Sequence, residues 1–300
     1  MIDDITLRNG PLEFSALSAG EGPLILCIHG FPDCYHSFRH QLPVLADAGF
    51  RAVAVTLRGY ETSSQPADGD YSVEALTSDV IAVLDGLGEE TAHIVGHDWG
   101  ASIACTAAAT APERFRSLTI MSVPHPGRFV LEAFKNPRQL GLSWYMFFFQ
   151  LRGIADRRLA KDDFAFIRKL WRDWSPGFDP GEDVLAEVLK TFREPGVPKA
   201  ALAYYRSALS PRNLPLSAAK RAENRYTVQV PTLAITGKND HCIDSGVFQS
   251  LMYEEDFPAG LSVKAIDDAG HFPHQEQPEA VNDLLLSWFA LHEHAKGASR

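Results

Sequence analysis

The apolar positions of this chain follow two different rhythms. Residues 23–28 form an unbroken apolar run that ends in His29-Gly30, as a central strand covered on both faces requires. A helical stretch is expected over 37–48, with Gly49 as its stop signal, and a second strand over 50–56. Apolar residues at 73, 76, 80, 83, 84 and 87 predict a helix over 73–87. A strand over 92–95, an alanine-rich helix over 101–111 and a strand over 115–123 continue the alternation. Strand and helix taking turns in this way imply parallel β-α-β units.

After Pro124 the rhythm breaks. Residues 125–226 carry little strand signal and much aromatic, helical sequence, most clearly at 144–149 and 164–174. The alternation resumes at 230–236, continues with a strand over 262–266 and closes with a helix over 278–292. The simplest organisation is a core domain, residues 1–124 and 227–300, interrupted by a helical cap, residues 125–226. Such a cap would lie over the carboxyl ends of the strands, where open α/β sheets bind ligands. The predicted fold class is therefore α/β: a mostly parallel, doubly wound sheet with an inserted helical cap.

Composition narrows the partners. The formal charge is −10, from 38 acidic and 28 basic residues, and the acid is dispersed. That balance argues against a nucleic-acid or membrane partner, since both call for clustered Lys and Arg. The first residues show neither the basic nor the apolar segment of a signal peptide, and no apolar run reaches the roughly 18 residues needed to cross a bilayer. Cys27, Cys34, Cys105 and Cys242 are scattered, so a reduced, cytoplasmic protein is expected, either monomer or homodimer.

The chemistry concentrates at Gly96-His97-Asp98-Trp99-Gly100. This is a Gly-x-nucleophile-x-Gly turn between a strand and a helix, with a carboxylate in the nucleophile's place. A carboxylate attacking carbon forms an alkyl ester, which then needs a water activated by a general base. His271, in the loop after the last strand, is the candidate base, and Asp240, after the preceding strand, its orienting carboxylate. Nucleophile, acid, histidine is the chain order of a hydrolase triad. Asp244 is the competing carboxylate; Asp267 and Asp268 read as turn residues. The backbone N–H groups of Phe31 and Trp99 are the candidate oxyanion hole. His29 and Pro32 are expected to border the substrate in the same loop, while His97 orients a loop. A metal site from His93, His97 and Asp98 is not expected, nor is any cofactor.

Taken together, the ordered set His29-Gly30-Phe31-Pro32, Arg58-Gly59-Tyr60, the Asp98 turn, Asp240 and Gly270-His271-Phe272 resembles the α/β-hydrolase superfamily, and within it the epoxide hydrolases, over nearly the whole chain. The resemblance implies two cap tyrosines that hydrogen-bond an epoxide oxygen. Tyr145 lies in the first matching segment and Tyr205 in the second, with Tyr204 as its alternative. It also implies a small apolar epoxide and water as substrates and a vicinal diol as product. Some positions depart from the pattern: Glu61-Thr62-Ser63 follows Arg58-Gly59-Tyr60 where Gly-x-Ser is common, and Phe31 stands where haloalkane dehalogenases often have Asn. Trp99 replaces the Arg usual in fluoroacetate dehalogenases, although a Trp there suits halide binding. A haloalkane or haloacid dehalogenase using Asp98, Asp240 and His271 is the alternative reading. A non-catalytic small-ligand binding protein on this scaffold is the third.

Overall fold

A computed structural model describes residues 1–211, 213–214 and 226–293. Eight strands form one sheet: β1 Ile2–Asn9, β2 Leu12–Ala19, β3 Leu24–Ile28, β4 Arg51–Val55, β5 Ala92–His97, β6 Phe115–Met121, β7 Thr232–Gly237 and β8 Leu261–Ile266. Their spatial order is β1-β2-β4-β3-β5-β6-β7-β8. From β4 to β8 every neighbouring pair is parallel. The first two strands add something the periodicity did not reveal, an antiparallel hairpin turned at Gly10-Pro11, with Gly10 at φ +57°. Through β2 it pairs antiparallel with β4.

The strands alternate their burial between two helical layers. Leu24, Leu26 and Ile28 of β3 pack with α2 Val73–Gly86 and α3 Trp99–Thr110 on one face. Ile25 and Cys27 pack on the other, with α1 Leu42–Asp47 and the closing helix, through Leu42, Leu45, Leu285 and Phe289. The helix expected over 37–48 is two shorter pieces, a 3₁₀ turn Tyr35–Phe38 and then α1, with Pro43 in the first turn of α1. A proline lacks the N–H that continuing the earlier turn would require. Strand β5 also runs two residues further than expected, and α3 begins at Trp99, which leaves Asp98 as the only residue between them.

Between β6 and β7 the described chain is helical: α4 Pro126–Glu132, α5 Pro137–Leu142, α6 Trp144–Phe148, α7 Ile154–Trp174, α8 Glu182–Arg193 and α9 Val197–Ala208. Positive φ at Asp162, Asp163 and Phe164 breaks the line of α7. Residues 212 and 215–225, assigned to the cap from the sequence, and 294–300, assigned to the core, lie outside the described residues. After β7 come α10 Ser245–Ser250, α11 Pro273–Glu276 and α12 Pro278–His292. The chain leaves β3 toward β4 on one side and returns as β5 on the other. That reversal opens a crevice at the carboxyl ends of β3 and β5, the place such sheets use for ligands.

Candidate active site

The turn after β5 is tight because its neighbours leave no room for side chains. A Cβ on Gly96 would strike the Gly100 carbonyl, and one on Gly100 would strike the carbonyls of Ile28 and His29. Asp98 is held at φ 52°, ψ −117°, a left-handed conformation unusual for a residue with a side chain. The strain lifts its carboxylate over the end of the sheet, where Asp98 is only 4% exposed. The Phe31 N–H donates to its Oδ1 at 2.7 Å. Trp99 begins α3, so its N–H has no carbonyl one turn earlier to accept it.

His271 stands between two carboxylates. Its Nδ1 is 3.0 Å from Oδ2 of Asp240, and its Nε2 is 3.5 Å from Oδ2 of Asp98. Asp240 is fixed in turn by the N–H groups of Cys242 and Ile243, which donate to its Oδ1 at 2.7 and 3.0 Å. Burial alone would depress the His271 imidazolium, yet its pKa is raised well above 6.5. The nearby Cys242 thiol is pushed up to about 11 by its own burial and so stays neutral at ordinary pH. The cause of the rise is therefore the pair of carboxylates, Asp240 and Asp98. Asp244 does not compete with Asp240: its side chain caps α10, accepting from the N–H groups of Gly246 and Val247.

Several residues that the sequence did not single out hold the His271 loop. Glu276 accepts from the N–H of Gly270 at 2.7 Å, the N–H of Phe272 at 2.8 Å and the hydroxyl of Ser175 at 2.6 Å. Ser175 also accepts the His271 N–H, and the His271 carbonyl accepts from Ser122 and from Nε2 of His97. Ser175, just past the end of α7, thereby ties the inserted helices to this loop. The one local hint was Glu276, five residues after His271; Ser122 and Ser175 carry no sequence signal because they act across long chain separations. Behind the loop, Asp33 accepts from Ser37 and Gln275, and Ser37 meets His274. His93 is at the far end of β5, bonded to Ser117 and Glu293, so it does not converge with His97 and Asp98.

A cavity of about 360 Å³ opens over Asp98, lined by Trp99, Tyr145, Met146, Tyr204 and Tyr205 among others. The rings of Tyr145 and Tyr205 are 5.7 Å apart and edge-to-face. The Tyr145 hydroxyl lies 3.2 Å from the Cys242 sulfur, a weak partner, and the buried Tyr205 hydroxyl has no protein partner. Burial first, and the Asp98 carboxylate next, raise the Tyr205 pKa well above 10. Tyr204 also borders the cavity, but its hydroxyl donates to the Arg58 carbonyl at 2.7 Å. His29 and Pro32 are not among the lining residues. The His29 ring spans the Gly30 carbonyl and the Leu57 N–H, and burial lowers its pKa to about 4, so it is neutral. The Pro32 carbonyl accepts from the Trp171 indole at 2.8 Å. Both are committed to the loop's own architecture rather than to the lining of the cavity.

Residues 23–278 match the model of the alpha/beta hydrolase fold family. Among curated relatives, epoxide hydrolase 1 of Caenorhabditis elegans is 32% identical, covering 94% of this chain and 68% of that protein. Epoxide hydrolase 4 of Mus musculus is 30% identical, covering 97% and 80%. An epoxide hydrolase of Bacillus megaterium, solved in complex with an inhibitor, superposes with a TM-score of 0.82 at 30% identity, covering 96% of this chain and 100% of that one. With the fold, the crevice and an aspartate at the turn in agreement, the chain belongs to the α/β-hydrolase fold family and, within it, to the epoxide hydrolase-like branch.

Proposed function

We propose that the protein opens an apolar epoxide to a vicinal diol through an ester on Asp98, and that residues 125–226 act as the cap that carries part of the site. The observation that carries this reading is that two tyrosine hydroxyls, one without a protein partner, border the same cavity as a carboxylate at a strained turn. Serine hydrolysis of esters would have no use for that pair. Ring opening does, because the departing oxygen is an alkoxide, a poor leaving group without a proton.

In the first half-reaction Oδ2 of Asp98 attacks an epoxide carbon. The ring carbon–oxygen bond breaks, and Tyr205 or Tyr145 supplies the proton that turns the alkoxide into a hydroxyl. Oδ1 remains on the Phe31 N–H. In the second, His271 takes a proton from water and the resulting hydroxide adds to the ester carbonyl. The negative charge formed on Oδ1 is held by the N–H groups of Phe31 and Trp99. Collapse expels the diol, whose leaving oxygen takes the proton of the His271 imidazolium; the carboxylic acid left on Asp98 then gives up its proton, which returns to the tyrosine phenolate and restores both groups.

The two carboxylates around His271 give the cycle a switch. While Asp98 is anionic it favours the imidazolium; once Asp98 is an ester that charge is gone and the imidazole is more readily neutral, as a base for water must be. The test is to incubate His271→Gln with a panel of epoxides and measure intact mass. Accumulation of an adduct on Asp98 is expected. Binding without an adduct for any epoxide, together with halide release from haloalkanes by the wild type, would move the assignment to a dehalogenase.

A further inference from the structure

Tyr145, Tyr204 and Tyr205 all border the cavity, and their hydroxyls stand in three different states. That of Tyr204 is locked on the Arg58 carbonyl at 2.7 Å, that of Tyr205 has no protein partner, and that of Tyr145 lies 3.2 Å from the Cys242 sulfur. The Tyr145 ring packs against three others, those of Phe149, Trp174 and Tyr205, with centroids 5.7, 4.9 and 5.7 Å away. With the ring fixed, the direction of its O–H is the freedom that remains. Among the described residues, Cys242 is the hydrogen-bond partner that settles it.

The sulfur is itself a fixed point. The Cys242 N–H donates to Oδ1 of Asp240 at 2.7 Å, and its carbonyl accepts from Nε2 of Gln139 at 3.0 Å. Gln139 belongs to α5, so Cys242 is tied to the triad's acid on one side and to the inserted helices on the other. It is fully buried, which pushes its thiol up to about 11 and leaves the hydrogen on the sulfur. A neutral thiol is a weak acceptor and a weak donor, and a phenol is the better donor of the two. Before substrate binds, the phenol therefore donates to the sulfur. That bond is weak enough to yield to an epoxide oxygen, as the Tyr204 bond to a carbonyl is not. Once the phenol has turned, the S–H can donate to the phenol oxygen and strengthen it as a donor.

We propose that Cys242 is a positioning residue for ring opening: its thiol aims the Tyr145 hydroxyl before the epoxide arrives and backs it once the hydroxyl turns to the ring oxygen. The inference rests on the reading of Asp98 as nucleophile and of Tyr145 as a donor to the epoxide. It assigns the thiol to the first half-reaction, although the sulfur also neighbours His271, the base of the second.

The test compares Cys242→Val with Cys242→Ser by rapid-quench mass spectrometry, with styrene oxide, 1,2-epoxyhexane and trans-stilbene oxide as probes. A residue that merely filled space would accept Val, which is apolar and close in size, and suffer from Ser, which buries a hydroxyl in its place. Positioning reverses that order. Val removes both hydrogen-bonding roles, so formation of the Asp98 ester should slow about 3- to 10-fold, the worth of one neutral hydrogen bond. Ser restores a donor and an acceptor and should recover most of the loss. The loss should fall on formation of the ester and not on its breakdown, and in a Tyr145→Phe background Val should add no further loss. Circular dichroism and thermal unfolding verify that the variants fold. The inference is overturned if Ser slows ester formation more than Val does, if Val slows breakdown as much as formation, or if the loss from Val persists without the Tyr145 hydroxyl. Those outcomes leave the Asp98 chemistry standing. No ester from any of the three probes, in the wild type or in His271→Gln, would instead overturn the ring-opening reading and this inference with it.

Discussion

Nε2 of His271 lies 3.5 Å from Oδ2 of Asp98, so the proposed base faces the charge of the proposed nucleophile directly. Replacing Asp98 by Asn keeps the shape and removes the charge. The His271 pKa should then fall from its raised position, which NMR titration of the imidazole nitrogens reads directly. The same shift has a stability consequence. A histidine whose folded pKa is raised above the ordinary 6.5 contributes fully below that value and loses its contribution as pH rises through the folded pKa. Asp98→Asn should remove part of this pH dependence from urea unfolding. An unchanged imidazole titration would mean that Asp98 does not set the state of His271.

Tyr205 and Tyr145 should act on one half-reaction only. Their hydroxyls would stabilise the opening ring, and nothing in the later attack of water on the ester requires them. General-acid assistance is worth about 10²- to 10⁴-fold, and either phenol can cover in part for the other. Single Tyr→Phe variants should slow ester formation about 10- to 100-fold, and the double variant should approach the full range. Rapid-quench mass spectrometry separates the two steps. If breakdown of the preformed ester slows as much as its formation, the tyrosines have a different task.

The features legible in the sequence were those encoded within a few residues. The Asp98 turn announces itself because both glycines stand within two residues of the aspartate, Gly96 demanded by the nearby Gly100 carbonyl and Gly100 by the carbonyls of Ile28 and His29 at the end of the neighbouring strand. Asp240 and His271 were found because they follow strands whose apolar runs are plain. The choice of Tyr205 over Tyr204 came from motif resemblance, and the distinction is visible in space: the Tyr204 hydroxyl is committed to Arg58, and that of Tyr205 has no protein partner. The hairpin β1–β2 was missed because it is largely exposed on β1 and shows no apolar run. The support of the His271 loop was missed for another reason. Ser175 and Glu276 are 101 residues apart in sequence, and hydrogen bonds across such separations leave no periodic trace.

Glu276 deserves a direct test because one carboxylate serves three donors. Glu276→Ala leaves the N–H groups of Gly270 and Phe272 and the Ser175 hydroxyl without their acceptor. Each partly buried donor left unsatisfied costs about 1–3 kcal/mol, reduced where water can enter, so an overall loss of about 2–5 kcal/mol is expected in urea unfolding. The kinetic effect should be uneven. The loop aims His271, so hydrolysis of the ester should slow more than its formation. A uniform slowing of both steps, or no loss of stability, would count against Glu276 as the support of this loop.

The shape of the cavity bears on substrate length. Trp99, Ser102 and Thr106 all line it, and they lie on one side of α3. Seven residues of helix rise about 10 Å, so the cavity follows α3 for about two turns away from Asp98. An epoxide with a long apolar arm can lie along this side with its ring at the carboxylate. Ser102→Phe should block the arm without reaching the ring. A methylene that no longer fits a pocket is worth about tenfold or more in kcat/KM. The variant should therefore lose at least that factor on an epoxide with a long alkyl chain and keep its rate on a short one. Equal losses on both would place the arm along the cap side of the cavity, by Met146 and Ala208, and Ser102 would then act on the ring itself through α3.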